Sequence, residues 1–282
     1  MHFDLLKSAR EKILVVAHRG AAGGNIPCNT IAAYEIALRQ GADMIEIDLE
    51  MTKDGHLVIF HPGMEKRHLS CDTCIPEMTL KQVQNLRYVN YDRTPTQFGV
   101  ELFDDVLETF KGRCYINVDK FWGHPKEITE VIRRHGMSEQ MLVKSAPSDD
   151  VVSVLSALAP ELAYMPIIRA DDGTHEKMMA SGIRYIGCEI LFYSDNAPQV
   201  SPSFIERLHR DGKLAWGNAI IYDHKDQIAA GHSDDTAMCG SPNESWGWLA
   251  DRGFDMIQTD WTAALISYLK SAGKYKKDSF KI

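Results

Sequence analysis

Residues 13–61 read ILVVAHRGAAGGNIPCNTIAAYEIALRQGADMIEIDLEMTKDGHLVIFH. The order is a short apolar strand, an amphipathic helix, a second strand and, after the turn-forming Thr52-Lys53-Asp54-Gly55, a third. The first strand ends in His18-Arg19-Gly20, the second in Glu46-Ile47-Asp48 and the third in His61. Residues i and i+2 of a strand point to one face, so Glu46 and Asp48 project together, as a cation site requires. A hard divalent ion takes oxygen ligands, an arginine suits a phosphate, and two histidines can take and give a proton. Together these residues suggest metal-assisted cleavage of a phosphate ester.

The same alternation continues along the chain. Strands are expected at Ile13–Ala17, Met44–Leu49, Tyr115–Asp119, Met141–Lys144, Tyr164–Ile168, Tyr185–Ile190, Leu214–Gly217 and Met256–Thr259. Helices are expected at Thr30–Arg39, Phe103–Phe110, Lys126–Arg134, Asp149–Leu158, Ser203–Arg210 and Ala263–Lys270. Ser201 or Ser203 and Asp149 suit helix starts, and Gly41, Gly136 and Gly212 suit helix stops. Eight strands alternating with helices fit an α/β fold, a (β/α)8 TIM barrel, as one domain over 1–282. Such a barrel gathers its site at the C-terminal strand ends, where His18, Glu46, Asp48, Asp119, Lys144, Glu189, Asn218 and Asp260 all fall. Two segments exceed the repeat. Residues 52–100 form a small insertion after the second barrel strand, and 219–244 form a loop rich in Asp and His. That loop reads equally as a lid contacting substrate and as a solvated acidic loop.

Bulk properties narrow the function. The chain has 282 residues with 44% hydrophobic and 25% charged, an ordinary globular composition. A net charge of −8 provides no basic footprint, so nucleic acid is excluded as a partner. The first residues, MHFDLLKSAREK, lack a signal-peptide pattern, and no apolar run reaches ~18 residues, so neither export nor a stable membrane anchor is expected. A cytoplasmic location follows as the default expectation. Homo-oligomerisation is allowed by the sequence and not specified by it. The six cysteines are read as reduced thiols: Cys71 and Cys74 have metal or redox spacing, but no second such pair accompanies them.

With AHRG at 17–20, Pro27-Cys28-Asn29-Thr30 before a helix, GADMIEIDLEMTKDGHLVIFH at 41–61 and Asn117-Val118-Asp119, the chain resembles the glycerophosphodiester phosphodiesterase family. Trp216-Gly217-Asn218 and Gln258-Thr259-Asp260 are weaker echoes. The resemblance implies a TIM barrel and a metal-dependent hydrolase that splits small glycerophosphodiesters into sn-glycerol 3-phosphate and an alcohol. It makes His18 and His61 the acid/base pair, Arg19 a phosphate contact, and Glu46, Asp48 and Asp119 the metal ligands. Carboxylates suit Mg²⁺ or Ca²⁺. Water can attack directly, or a glycerol hydroxyl can attack first and give a cyclic phosphate. A lyase stopping at that cyclic phosphate and a non-catalytic phosphoester-binding barrel are the alternatives.

Departures from the family pattern mark a divergent member. Cys28 stands where the family usually has Glu, Pro62 where it has Asp, Asp119 where it has Glu, and Phe121 where it often has Lys. Asp119 keeps the charge with one methylene less reach. Pro62 offers neither a side chain nor a backbone N–H for orienting a neighbour. Lys120 is out of phase for the inward face, so Lys144 on the adjacent strand is expected to supply the missing cation. Asp119 reads otherwise as a salt-bridge partner of Lys144 or Arg19. Glu189 is expected to contact substrate or to complete a barrel salt bridge, Trp216 to pack against the alcohol moiety or to be core, and Asn29 to begin or cap a helix with a secondary role near the metal. His224 and His232 are loop candidates.

Overall fold

Eight parallel strands close on themselves in the computed structural model, which describes residues 3–276. In chain order the strands are β1 (Leu14–Ala17), β2 (Met44–Met51), β3 (Leu57–Ile59), β4 (Glu101–Leu102), β5 (Tyr115–Asp119), β6 (Met141–Ser145), β7 (Ala163–Ile168), β8 (Gly187–Ile190), β9 (Leu214–Asn218) and β10 (Met256–Thr259). The barrel runs β1-β10-β9-β8-β7-β6-β5-β2 and is closed by the pairing of β1 with β2. All eight expected strands are present, with ends shifted by at most two residues.

Strands buried on both faces explain the continuous apolar runs. One face, including Val15, Ile45, Ile47, Ile116, Val118 and Ile257, packs in the large cluster that also holds helix residues such as Leu107, Ile132 and Leu265. The other face fills the lower barrel with Leu14, Val16, Met44, Tyr115, Leu142, Met165, Leu214, Trp216 and Met256. Phe3, Leu5 and Ala9 from the N-terminal segment join this second cluster. Toward the C-terminal strand ends the same rows turn polar: Met44 gives way to Glu46 and Asp48, Tyr115 to Asn117 and Asp119, Leu142 to Lys144, and Met256 to Gln258 and Asp260. The apolar plug therefore becomes the base of a polar floor.

Local chemistry sets the helix ends. Thr30 accepts from the Ala33 N–H and starts the helix Ile31–Gln40, which stops at left-handed Gly41. Ser201 caps Pro202–Arg210, deciding between the two serines. Ser148 caps Asp149–Leu158, so Asp149 lies in the first turn instead of at the cap. Helices at Leu5–Glu11, Thr174–Ala180, Asp234–Cys239 and Trp248–Arg252 were not foreseen, because each is too short to display a clear period.

After the eighth residue of β2 the chain turns into antiparallel β3, which pairs with β4. Short helical turns at Glu65–His68, Ile75–Glu77 and Leu80–Gln84 lie between β3 and β4. Val58, Phe60, Leu69, Ile75, Met78, Val83 and Tyr88 form a separate small core there. Among the described residues no helix is long and apolar enough to cross a membrane, and all six cysteines are unpaired.

Candidate active site

A cavity of about 870 Å³ opens at the C-terminal ends of the strands. Its wall includes His18, Arg19, Glu46, His61, Asp119, Lys144 and Glu189, seven of the nine residues singled out in the sequence. Asp48 is fully buried just behind that wall, and Trp216 is fully buried and outside the lining. The expectation that Trp216 packs against an alcohol moiety is therefore corrected. It belongs to the lower barrel core, its indole N–H donates to Asn218 Oδ1 at 3.1 Å, and its ring lies 4.1 Å below Lys144 Nζ.

Glu46 and Asp48 from β2 and Asp119 from β5 offer carboxylate oxygens that all lie within 4.8 Å of one another. In-register pairing of β2 with β5, which sets Asp48 beside Asp119, makes this possible. Burial together with the charge of Asp48 pushes the Glu46 carboxyl up to about 7. Asp119 is half-buried, but Lys144 and Lys120 outweigh the cost of that burial and hold its pKa below the usual range.

Three residues with left-handed backbone, Arg19, Asn29 and Lys120, surround Asp48 (φ 55°, 56° and 63°). Arg19 Nε stands 2.8 Å and Lys120 Nζ 3.8 Å from the carboxylate, and Asn29 Nδ2 donates to it at 2.9 Å. Such φ values are unusual outside glycine and cluster where side chains must be aimed. Two sequence expectations change as a result. Asn29 is not the helix cap, since Thr30 fills that place; it accepts from Tyr34 Oη and clamps Asp48. Lys120 escapes the strand phase because the chain turns left-handed after Asp119, and its Nζ lies 2.6 Å from Asp119 Oδ2. Gly20 completes the turn at φ 80°, where a Cβ would stand 2.7 Å from the Ala33 carbonyl carbon.

The two histidines are held differently. His18 Nδ1 bonds Asp260 Oδ1 at 2.8 Å; burial opposes protonation, but Asp260 and then Glu46 outweigh it and raise the pKa. His61 Nδ1 donates to the Pro62 carbonyl at 2.9 Å, and burial lowers its pKa. Pro62 thus orients His61 through its one remaining backbone group, the carbonyl. Both bonds use Nδ1 and leave Nε2 for other partners.

On the opposite wall Lys144 Nζ pairs with Glu189 Oε2 at 2.8 Å, and Asn218 Nδ2 donates to Glu189 Oε1 at 2.7 Å. Burial works against the Lys144 charge, but Glu189, Asp119 and Glu46 together raise its pKa. From the 219–244 segment it is the apolar Ile220, Ile221 and Ile228, with Tyr222, that line the cavity; its acidic residues do not. Asp223 and Asp226 form an outward turn, and His232 is held by Asp195 and the Glu244 carbonyl against Trp248. Asp234 is buried and accepts from Trp246 Nε1, Thr259 Oγ1 and the Asp260 N–H, steadying the residue that holds His18. In the sequence Asp260 is a polar strand end within a weak family echo; its partnership with His18 needs the β1–β10 pairing.

The glycerophosphoryl diester phosphodiesterase family model matches residues 18–263, and the chain belongs to that family. A glycerophosphodiester phosphodiesterase of Caldanaerobacter subterraneus subsp. tengcongensis is 31% identical over 143 residues, covering 48% of this chain and 58% of the relative. One from Bacillus subtilis is 28% identical over 191 residues, covering 61% and 62%. The alignment thus spans about six-tenths of these curated relatives. Among solved structures, a glycerophosphoryl diester phosphodiesterase from Parabacteroides distasonis superposes with a TM-score of 0.77 at 15% identity, covering 98% of both chains. An Oleispira antarctica phosphodiesterase in complex with the product sn-glycerol-3-phosphate gives 0.68 at 20%, covering 92% of this chain and 97% of that one. At these identities the superpositions establish the shared barrel.

Proposed function

We propose that this protein hydrolyses small glycerophosphodiesters to sn-glycerol 3-phosphate and an alcohol, using a divalent cation, Mg²⁺ or Ca²⁺. The observation that carries the reading is the meeting of three carboxylates with His18, His61 and Arg19 around one cavity. The donor set fits such an ion: it is all oxygen, and the buried Asp48 Oδ1 has no hydrogen-bond partner among the described residues. Glu46, Asp48 and Asp119 would hold it. When bound, the ion neutralises the phosphate and stabilises charge developing in the transition state.

Arg19 is assigned to the phosphate, though its Nε also faces Asp48, so it serves ligand and substrate together. The raised pKa of His18 favours proton donation, and the lowered pKa of His61 favours acceptance at Nε2. One activates the attacking group, water or a glycerol hydroxyl, and the other protonates the departing alcohol; where the glycerol hydroxyl attacks, water then opens the cyclic phosphate to glycerol 3-phosphate. Lys144 and Glu189 are assigned to the substrate end of the floor. Residues 52–100 are assigned as an insertion subdomain, supported by their separate core.

The test is release of glycerol 3-phosphate from a panel of glycerophosphodiesters by metal-stripped protein, with Mg²⁺, Ca²⁺ or Mn²⁺ restored. Metal-dependent release is the expected result. Phosphorus NMR of the same reactions separates outcomes: a cyclic phosphate that persists identifies a lyase, and silence on every diester leaves a binding protein.

A further inference from the structure

Gln258 lines the cavity, and the reading above does not use its chemistry. It is only 3% exposed. Its Oε1 is buried without a hydrogen-bond partner among the described residues. Buried amides are normally satisfied, and leaving one unpaired is unfavourable, so this carboxamide is built for a partner from the cavity.

Position and chemistry narrow that partner. β10 pairs with β1 and with β9, setting Gln258 opposite Val16 and Asn218. Two residues along the same strand, Asp260 holds His18, so Gln258 lies one layer below that histidine. Across the floor, Lys144 is ion-paired with Glu189, which also accepts from Asn218. The cavity's outer wall is apolar, with Ile167, Ile220, Ile221 and Ile228. A phosphate oxygen can only accept hydrogen bonds and cannot meet a bare Oε1. A hydroxyl donates and accepts, and so satisfies the carboxamide in either orientation. A polyol placed on the polar floor leaves the apolar outer wall to the alcohol moiety.

We infer that Gln258 reads a hydroxyl of the glycerol moiety and thereby makes the site specific for glycerol phosphates over simple alkyl phosphates. The inference rests on the phosphodiesterase reading above. Its test is calorimetric binding of sn-glycerol 3-phosphate and of propyl phosphate, which lacks both hydroxyls, to the full-length protein supplied with Mg²⁺ or Ca²⁺. The wild type is expected to prefer glycerol 3-phosphate by about tenfold or more, the effect of an unmade buried hydrogen bond. Gln258→Met, similar in volume and apolar, is expected to lose that preference while binding propyl phosphate as before. Gln258→Glu, which keeps an acceptor, is expected to retain part of it and guards against a folding defect in the first variant. A preference that survives Gln258→Met, as when an ordered water is the sole partner, overturns the inference. So does an equal weakening of both ligands, the sign of a merely structural residue. Failure of the wild type to bind either phosphate ester is a different result: it sinks the phosphodiesterase reading and this inference with it.

Discussion

The two walls of the barrel mouth hold similar residues to opposite ends. On the β1, β2 and β5 side, Glu46, Asp48 and Asp119 crowd within 4.8 Å, and Asp48 Oδ1 has no hydrogen-bond partner among the described residues. On the β6, β8 and β9 side, Lys144, Glu189, Asn218 and Trp216 form a chain of contacts in which the buried charges are matched one to one. A wall with surplus negative charge is prepared for something that arrives. A wall with matched charges holds its own shape. Substitutions on the first should therefore act mainly on chemistry, and those on the second on stability as well as, through Lys144 and Glu189, on substrate binding.

The sharpest way to break this contrast is Asp48→Asn. It keeps the shape and removes the central carboxylate charge, and kcat/KM is expected to fall by about a thousandfold or more, since metal stabilisation of the transition state is worth several kcal/mol. The thermal midpoint should also fall, because the buried pair with Arg19 is broken, but relief of crowding among the carboxylates offsets part of that cost. A chelator should silence the wild type and leave the residual rate of the variant unchanged. Proton competition follows from Glu46, whose carboxyl is pushed up to about 7: its folded-state pKa lies above the ordinary value, so the metal concentration needed for half-maximal rate should rise as pH falls below that point. A metal requirement that is flat from pH 8 to pH 5 would count against Glu46 as a ligand.

Next come the histidines that flank this wall, where general acid–base work predicts a loss of about a hundredfold or more for His18→Gln or His61→Gln. Their pH profiles should differ in sign. His18 must carry its proton and has a raised pKa, so it sets the alkaline limb, with rate lost as pH rises through that value. His61 must be neutral and has a lowered pKa, so it sets the acidic limb, with rate lost as pH falls. His18→Gln should flatten the first limb and His61→Gln the second; the reverse pattern exchanges their roles.

The sequence made the barrel readable because both strand faces are apolar low in the barrel and the inward rows turn polar at the same height. It brought His18, His61 and the three carboxylates to one end on strand position alone. What it hid depends on backbone conformation or on partners far away in the chain. Lys120 lies out of phase for an ideal strand, and only the left-handed turn at φ 63° aims it at Asp119. Asn29 resembled a helix start because asparagine commonly is one, while its actual contact lies nineteen residues on, at Asp48. Asp260, Asp234 and Gln258 gain meaning through bonds made or missing across the barrel, which no local pattern records. The acidic loop misled in the opposite way: its charges were conspicuous, and its isoleucines line the cavity.

On the matched wall, Glu189→Gln should strand the buried Lys144 cation and lower stability by about 3 kcal/mol in urea titrations, the lower range for breaking a buried pair. Asp119 and Glu46 still face that cation, which argues for the lower figure. Lys144→Met combined with Glu189→Leu should recover much of the loss, because neither charge is then left alone. A double variant as unstable as the single one would mean that packing, not charge matching, holds this wall.

The smallest effect is expected at Trp216, and it decides whether the second wall is support or contact. The ring is fully buried among Leu14, Val16, Leu214 and Met256, so a substrate can reach it only through Lys144, which sits on its face. Trp216→Phe keeps an aromatic face under the cation but gives a weaker one, and it removes the N–H donated to Asn218 Oδ1. That bond and the reduced packing together are worth about 1–2 kcal/mol of stability. KM for any glycerophosphodiester should stay unchanged across head groups, since the alcohol has no path to the ring. A KM that rises for one head group and not for others would return Trp216 to the substrate and make the matched wall a recognition surface.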